Sequence, residues 1–530
     1  MNETRTVSAR ELHDWLISDD EIALIDVREQ GSFGEGHLLS ASNLPLAELE
    51  VRARPLMPRL STPVVVCDKL DGSAEQASER LRAGGYEDVR ILQGGVDAWR
   101  EAGYELFSGI NVPSKAFGEF VEHHYQTPRL EASEVKRRID AGENLIILDS
   151  RPFEEFHVMS IPGGIDTPGA ELVYRISDLA PDADTTVIVN CAGRTRSIIG
   201  CQSLRNAGIP QQVFALKDGT MGWHLAGLDL ERGADTRFPE VSEKGLRNGQ
   251  VMARQVTDRF GVRSISSAGL DQWRDEASHS TLYVLDVRQP EEYQRGHLPD
   301  ALNAPGGQLV QATDQFVAVR DARIVLVDDT RVRAAMTASW LLQMGFEQVR
   351  VLDSGLTGET LEHGDGTREA LLPLPDVAGM SPSALAAASQ DQVVVVDIRR
   401  SLLYRGAHIP GAVWGGRATA SSWVARLPAE RRCVVVADDD RLARYFCAEF
   451  AMLTGREACY LEGGLSGWKS AGFDLAAGSD DALVPPTDVF HRPYDRESGQ
   501  EAAMQAYLDW EVALVDQVQL DATVRFKAFD

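Results

Sequence analysis

The chain has 530 residues, which is too long for one ordinary hydrophobic core and predicts about three to five domains. Its composition, 43% hydrophobic and 25% charged, is ordinary for a globular protein. The net charge of −27 argues against nucleic acid and anionic membranes as partners, because the long-range field repels polyanions. A small anionic substrate would therefore need positive groups close to its binding site.

The sequence predicts neither a secretory leader nor a membrane span. The first residues, Met1 to Arg5, lack an apolar stretch, and the longest apolar runs are only of strand length. The six cysteines form no C-x-x-C pair and fit no disulfide-rich pattern; they are residues 67, 191, 201, 433, 447 and 459. We therefore expect a cytoplasmic protein with mostly free, buried thiols and no membrane partner.

The chain contains four copies of one unit, and each copy opens with a helix-like segment and an apolar strand that ends in Asp-x-Arg. These motifs are Asp26-Val27-Arg28, Asp149-Ser150-Arg151, Asp286-Val287-Arg288 and Asp397-Ile398-Arg399. An aromatic residue and a turn with His follow in three copies, whereas the second copy has Phe156 and no Gly-His pair. We interpret Asp149 and Arg151 as a structural ion pair.

A second apolar strand in each copy runs into a loop, and only one of these strands ends in a cysteine at the aligned position. The aligned residues are Asp68, Cys191, Asp329 and Asp438, each 41 to 43 positions after the Asp of the first motif. Cys191 is therefore the candidate nucleophile. A carboxylate at this position can satisfy loop N–H groups, as Asp does at a helix N-terminus. Copies one, three and four are thus predicted to be inactive structural or docking modules.

Each copy ends in a helix, a short strand and a Gly-rich turn. Three copies carry a tryptophan after this turn, at Trp99, Trp223 and Trp468, which we expect to serve core packing. Apolar strands that alternate with helices predict an α/β fold in which helices cover both faces of a parallel sheet. The predicted units are 1–108, 109–235, 236–373 and 374–480.

The remaining segment, 481–530, is not a fifth copy. Pro485 and Pro486 break the chain, and 501–517 has helical composition. Its predicted apolar stripe consists of Met504, Tyr507, Leu508, Val512 and Val515. The stripe fits packing across the repeats or in a homodimer, and the pattern leaves both open.

The loop Cys191-Ala192-Gly193-Arg194-Thr195-Arg196 lies at the carboxyl end of a strand, where open parallel sheets bind ligands. The following helix points its positive end at the thiol, and Arg194 and Arg196 add cationic forks. Gly193 lets the backbone approach closely. We expect these groups to lower the pKa of the Cys191 thiol and to hold an anion.

With these motifs, the four units resemble rhodanese homology domains over about 1–478, almost the whole chain. The resemblance implies a central five-stranded parallel sheet and sulfurtransferase chemistry by double displacement. A donor such as thiosulfate would pass its outer sulfur to Cys191, and a thiol, cyanide or protein-thiol acceptor would collect it. Ala192, Gly193, Arg194, Thr195 and Arg196 would form the binding loop, with Arg194 and Arg196 on the sulfonate. No metal or organic cofactor is implied.

Other interpretations stay open. The chain could be a sulfur-relay or protein-binding scaffold with little small-molecule turnover, or Cys191 could be an inert buried thiol. A cysteine phosphatase or arsenate reductase is disfavoured, because Arg196 gives the shorter C-x-x-x-x-R spacing. Cys67 aligns with Asn190, one residue before the nucleophile, so its side chain should point to the other side of the strand end, and we expect no second active site there. Cys201 is expected to be a core residue. The sequence does not choose among thiosulfate, 3-mercaptopyruvate and a protein persulfide as donor.

Overall fold

The structure, a computed structural model, describes residues 5–366, 369–389 and 391–529. Within these ranges the strands form four sheets of five parallel strands each, which confirms the predicted fold class. Residues 1–4, on which the expected absence of a leader partly rests, lie outside the described residues. No helix in the described ranges combines the length and the apolar character that a membrane crossing requires.

The sheets share one strand order: in the first it is β1-β5-β4-β2-β3, and the other three repeat it. The first sheet consists of β1 (Thr6–Val7), β2 (Ala23–Asp26), β3 (Ser42–Asn43), β4 (Val64–Cys67) and β5 (Val89–Leu92). The second consists of β6 (Arg129–Leu130), β7 (Leu145–Asp149), β8 (Ile165–Asp166), β9 (Thr186–Asn190) and β10 (Val213–Leu216). The third consists of β11 (Arg263–Ile265), β12 (Leu282–Asp286), β13 (Leu302–Asn303), β14 (Arg323–Val327) and β15 (Val349–Leu352). The fourth consists of β16 (Gly379–Met380), β17 (Val393–Asp397), β18 (Val413–Trp414), β19 (Arg432–Val436) and β20 (Ala458–Leu461).

Helices connect the strands of each repeat. The first repeat has α1 (Ala9–Leu16), α2 (Gln30–Glu35), α3 (Leu49–Leu56), α4 (Ser73–Ala83) and α5 (Gly95–Glu101), and α6 (Val112–Tyr125) leads to the second. The second has α7 (Ala132–Asp140), α8 (Phe153–Val158), α9 (Glu171–Leu179), α10 (Thr195–Asn206) and α11 (Gly219–Leu225), followed by α12 (Glu243–Phe260). The third has α13 (Ser267–Asp275), α14 (Pro290–Arg295), α15 (Gly306–Gln311) and α16 (Val332–Gln343). The fourth has α17 (Pro382–Ala387), α18 (Ser401–Gly406), α19 (Ala420–Trp423), α20 (Asp440–Thr454) and α21 (Gly464–Ser470), and α22 (Gln500–Gln519) ends the chain.

Strand pairing corrects the predicted alignment of the four loops. The Asp that ends the first apolar strand pairs with Cys67, Asn190, Val327 and Val436 in the four repeats. The residues equivalent to Cys191 are therefore Asp68, Asp328 and Ala437. The predicted Asp329 and Asp438 are each one residue too late. The prediction aligned the second residue after the strand, whereas the hydrogen-bond register between the strands shows that the first residue is equivalent to Cys191.

The first three repeats share one continuous apolar core. It includes Ile25 of the first sheet, Val189 of the second and Leu326 of the third, together with Phe117 of α6. The fourth repeat has its own two clusters, one on each face of its sheet. A tryptophan after the Gly-rich turn is buried in three repeats and donates its indole N–H to a backbone carbonyl six residues further on, as Trp223 does to Asp229. The predicted core function of these residues is confirmed.

The C-terminal helix α22 packs against α6, across the repeats rather than on one of them. Its buried residues are Met504, Leu508, Glu511, Leu514 and Val518. The predicted stripe is wrong at Val512, which is 52% exposed. The buried face is rotated by one position and accommodates a carboxylate, Glu511. The predicted homodimer stays a prediction.

Candidate active site

The second repeat holds Cys191 in place through the residue before it. The amide of Asn190 donates to Asp149 at 2.8 Å and to Thr220 Oγ1 at 3.1 Å. The Thr220 hydroxyl in turn donates to the backbone oxygen of Cys191 at 2.9 Å. Gly219 has a φ of +56°, and a Cβ there would lie 2.4 Å from the Cys191 oxygen. The start of α11 therefore holds the backbone of Cys191 in place.

Asp149 and Arg151 form a buried ion pair. Arg151 donates through Nε and Nη2 to the two carboxylate oxygens, at 2.8 and 2.7 Å, and also to the Met159 carbonyl. The equivalent pairs in the other repeats have distances of 2.5 to 2.7 Å. Since the pair occurs in every repeat, whether or not the loop carries a cysteine at the position of Cys191, the predicted structural function is confirmed.

Cys191 opens onto a cavity of about 420 Å³ that six parts of the chain line. The second repeat supplies the loop 191–196, and the linking helix α6 supplies Lys115. The other repeats contribute Gln30, Gln311 and Arg400, in chain order. The C-terminal extension contributes Arg492, Tyr494, Tyr507 and Glu511. The three repeats that lack a cysteine at the position of Cys191 thus help to build the walls of the cavity.

Burial dominates the ionisation of the Cys191 thiol. The residue is 2% exposed, and burial raises its pKa above the usual value. The Arg196 guanidinium and the hydroxyl and N–H of Ser197 oppose this effect. The expected lowering of the pKa is therefore not found in the free protein. The helix terminus and the cation stabilise the thiolate only in part.

The two loop arginines differ in position. Arg196 lies beside Cys191 and donates to the two oxygens of Glu155 at 3.0 and 2.8 Å, which leaves further N–H donors of its guanidinium. Arg194 is 5% exposed and is bound by Glu119, Glu122 and Asp218. Because three carboxylates already surround its guanidinium, Arg194 is less suited to a sulfonate than Arg196 is, and its predicted binding of one stays a prediction.

Two titratable residues that the sequence analysis missed meet beside the loop. Glu511 is 2% exposed, and its Oε2 lies 3.0 Å from the point that a Cβ on Gly193 would occupy. Lys115 is also buried. It donates to the Ile110 carbonyl at 2.6 Å and makes a cation–π contact with the ring of Tyr507. Burial raises the pKa of Glu511 to about 7 and lowers that of Lys115 to about 8, while each group opposes the shift of the other. Helical spacing in the sequence could have indicated that Glu511 is buried, since it falls on the same face of the helix as Met504 and Leu508.

The other loops carry no thiol at the equivalent position. Asp68 accepts hydrogen bonds from the N–H groups of Leu70 and Ala74, as predicted for a carboxylate there. In the third repeat Asp328, not Asp329, accepts from loop N–H groups, and it also pairs with Arg333. The fourth repeat has Ala437.

The remaining thiols near these loops lie in the core. Cys67 is fully buried in the apolar cluster of the first repeat, and Cys201 is fully buried on α10. Burial raises the pKa of both thiols, that of Cys201 to about 12. Neither lines the cavity at Cys191.

Comparisons with known proteins agree with this architecture. A family model of the rhodanese-like domain matches four segments, 8–102, 131–226, 268–359 and 381–471. The crystal structure of a thiosulfate sulfurtransferase from Pseudomonas aeruginosa is 46% identical and superposes with a TM-score of 0.91, covering 99% of this chain and 100% of that one.

Curated relatives align with short parts of the chain. A helix-turn-helix-type transcriptional regulator from Mycobacterium tuberculosis is 37% identical over 102 residues, which is 19% of this chain and 44% of the relative. A probable adenylyltransferase/sulfurtransferase from the same species is 35% identical over 95 residues, 18% of this chain and 24% of the relative. The chain spans about half the length of the first curated relatives that it matches. Four segments match the family model, and each overlaps with one of the four sheets. The chain therefore belongs to the rhodanese-like domain family, with four such domains and a C-terminal helix.

Proposed function

We propose that the protein is a sulfurtransferase that moves sulfane sulfur from thiosulfate, or a similar donor, to an acceptor through a persulfide on Cys191. The observation that carries this proposal is the position of Cys191, which opens onto a cavity beside Arg196 and the first turn of α10. The similarity to the thiosulfate sulfurtransferase from Pseudomonas aeruginosa supports the choice of donor.

In the first half-reaction the Cys191 thiolate attacks the outer sulfur of the donor. A Cys–S–S⁻ persulfide forms, the S–S bond of thiosulfate breaks, and its electron pair leaves with sulfite. Arg196 would hold the sulfonate oxygens, and the first N–H groups of α10 would stabilise the anionic sulfur. Ala192, Gly193 and Thr195 would shape the loop around it.

In the second half-reaction an acceptor removes the outer sulfur, and the S–S bond of the persulfide breaks with its electron pair on the Cys191 sulfur. Thiols, cyanide and a protein thiol suit this step chemically. The walls that the other repeats and the extension build favour small acceptors, because a protein thiol would have to enter the cavity to reach a sulfur that is 2% exposed.

The test is intact mass spectrometry after incubation with thiosulfate. Wild-type protein is expected to gain about 32 Da, one sulfur atom, and to lose it on addition of a thiol. Cys191→Ser should gain nothing, whereas Cys201→Ser, which removes a buried thiol outside the cavity, should load like wild type. Absence of the added mass in wild type with thiosulfate, 3-mercaptopyruvate and a persulfide donor alike would exclude the proposed chemistry.

A further inference from the structure

The carboxylate of Glu511 faces the reactive loop from the C-terminal extension. Its Oε2 is buried and has no hydrogen-bond partner among the described residues. The same oxygen lies over Gly193, 3.0 Å from the point that a Cβ there would occupy. Oε1 lies 3.5 Å from the Thr195 hydroxyl, at the long limit of a hydrogen bond. A buried carboxylate oxygen without a partner destabilises the fold, so its position calls for an explanation.

The other cavity carboxylates within the described ranges are occupied. Glu155 is bound by Arg196, and although burial raises its pKa, the surrounding arginines outweigh burial and bring it to about 2. Asp495 accepts a hydrogen bond from the backbone N–H of Arg492 at 2.9 Å and caps a turn. Glu511 is the cavity carboxylate that can take up and release a proton near neutral pH.

Several charged groups face Glu511 from the elements packed around it. Lys115 and Glu119 lie on α6, Arg194 on the loop, and Tyr507 on α22 itself. Burial raises the pKa of Glu511 most, and Glu119 adds to that effect, whereas Lys115, Arg194 and Tyr507 oppose it. The resulting pKa of about 7 is suited to proton transfer at neutral pH.

The proposed reaction needs such a group. An alkyl thiol with a pKa of about 8.5 is mostly protonated at pH 7, and the thiolate is the nucleophile. Burial also raises the pKa of Cys191, so the cysteine released after transfer takes up a proton.

We propose that Glu511 is the proton-transfer group of the active site, which accepts the proton of the incoming acceptor thiol and passes it to Cys191. This inference rests on the proposed sulfurtransferase function. In the step, RSH gives its proton to Glu511, and RS⁻ attacks the outer sulfur of Cys191–S–S⁻. The S–S bond breaks with its electron pair on the Cys191 sulfur, which then takes the proton from Glu511. RSH and the persulfide become RSS⁻ and Cys191–SH, with no net change in electrons or protons.

The experiment uses full-length protein loaded with thiosulfate and follows the loss of the added sulfur in single turnovers. Two acceptors are compared at pH 7: cysteine, and an aryl thiol that is already ionised. Glu511→Gln is expected to slow transfer to cysteine about 100-fold and to remove the rate dependence on a group titrating near pH 7. Transfer to the aryl thiol should change less than about threefold, since the acceptor carries no proton. The control is Asp516→Asn, an exposed carboxylate on the same helix.

Two outcomes would overturn the inference: wild-type rates in Glu511→Gln with cysteine, or an equal slowing with both acceptors, which indicates a purely structural effect. Failure of the wild type to load sulfur would overturn the proposed function and this inference with it. If Glu511→Gln does not fold, Glu511→Asp keeps a carboxylate in the cavity. It is expected to load sulfur and to retain the pH dependence at a lower rate, and loss of that dependence would contradict the inference.

Discussion

Arg333 of the third repeat forms a buried ion pair with Asp328, at the two positions that Arg196 and Cys191 occupy in the second repeat. The third repeat therefore has an arginine at the position of Arg196 although it lacks the thiol. The Asp328 carboxylate is the anion that this arginine binds. Arg333 also binds Glu171 of the second repeat at 3.1 Å, so the loop of the third repeat helps to join the two domains.

Removal of this carboxylate should destabilise the protein. Asp328→Ala leaves Arg333 and several loop N–H groups with fewer partners, and we expect a loss of about 3 kcal/mol in the free energy of unfolding. Urea unfolding measures it. The control is Asp353→Ala, whose ion pair with Arg331 is about half exposed and should contribute little. A wild-type urea midpoint in Asp328→Ala would contradict this expectation.

Because of the same ion pair, the free energy of unfolding should decrease at acidic pH. Burial raises the pKa of Asp328, but Arg333 and the loop N–H groups outweigh burial and lower it to about 2. A depressed pKa stabilises the fold above the ordinary value of 3.8, and this contribution is lost as the pH falls toward 2. The difference in unfolding free energy between wild type and Asp328→Ala should therefore shrink below about pH 4.

Substitution of Arg196 and of Arg194 should have different effects on the steady-state kinetics. Arg196→Ala removes a charged fork beside the thiol, and we expect kcat/KM for thiosulfate to fall about 100-fold, which corresponds to about 3 kcal/mol. Arg194→Ala leaves Glu119 buried without its cation and should lower stability, with kcat/KM falling less than about tenfold. Steady-state rates over a range of thiosulfate concentrations distinguish them. Equal kinetic losses would contradict the assignment of Arg194 to the structure.

Gly219 should not tolerate a side chain. An alanine there would combine a left-handed φ with a contact of 2.4 Å to the Cys191 oxygen, which we expect to cost about 3 kcal/mol and to displace the nucleophile. Gly227, at the other end of the same helix, also has a positive φ but open space around it. Gly227→Ala should therefore cost only about 1 kcal/mol and keep sulfur loading intact. Thermal unfolding and mass spectrometry give both readouts.

Lys115 should set the pH at which the acceptor step works. Its charge opposes the upward shift in the pKa of Glu511, so Lys115→Met should raise that pKa above about 7. Since the proposed base is the ionised carboxylate, the acidic limb of transfer to cysteine should move to higher pH. Single-turnover rates between pH 6 and 9 (about the range in which the group titrates) measure the shift. An unchanged limb would show that Lys115 does not govern this ionisation.

The repeated motifs predicted the fold because they are local. Asp149 and Arg151 lie two residues apart, and the apolar strands are continuous in sequence, so each copy could be recognised by itself. The one-residue error at Asp328 and Ala437 arose where two neighbouring residues could each be counted as the end of a strand, and only hydrogen bonding between strands separates them.

By itself, the sequence determined the four-domain α/β fold and the reactive candidate Cys191, since strand periodicity and a short loop carry that information along the chain. Only the tertiary structure decided that Arg194 is bound by carboxylates, that the other repeats enclose the cavity, and that Glu511 lies over Gly193. These relationships join residues up to hundreds of positions apart. Their energies depend on how deeply the groups are buried and on which charged groups lie next to each other, and the packing of the domains determines both.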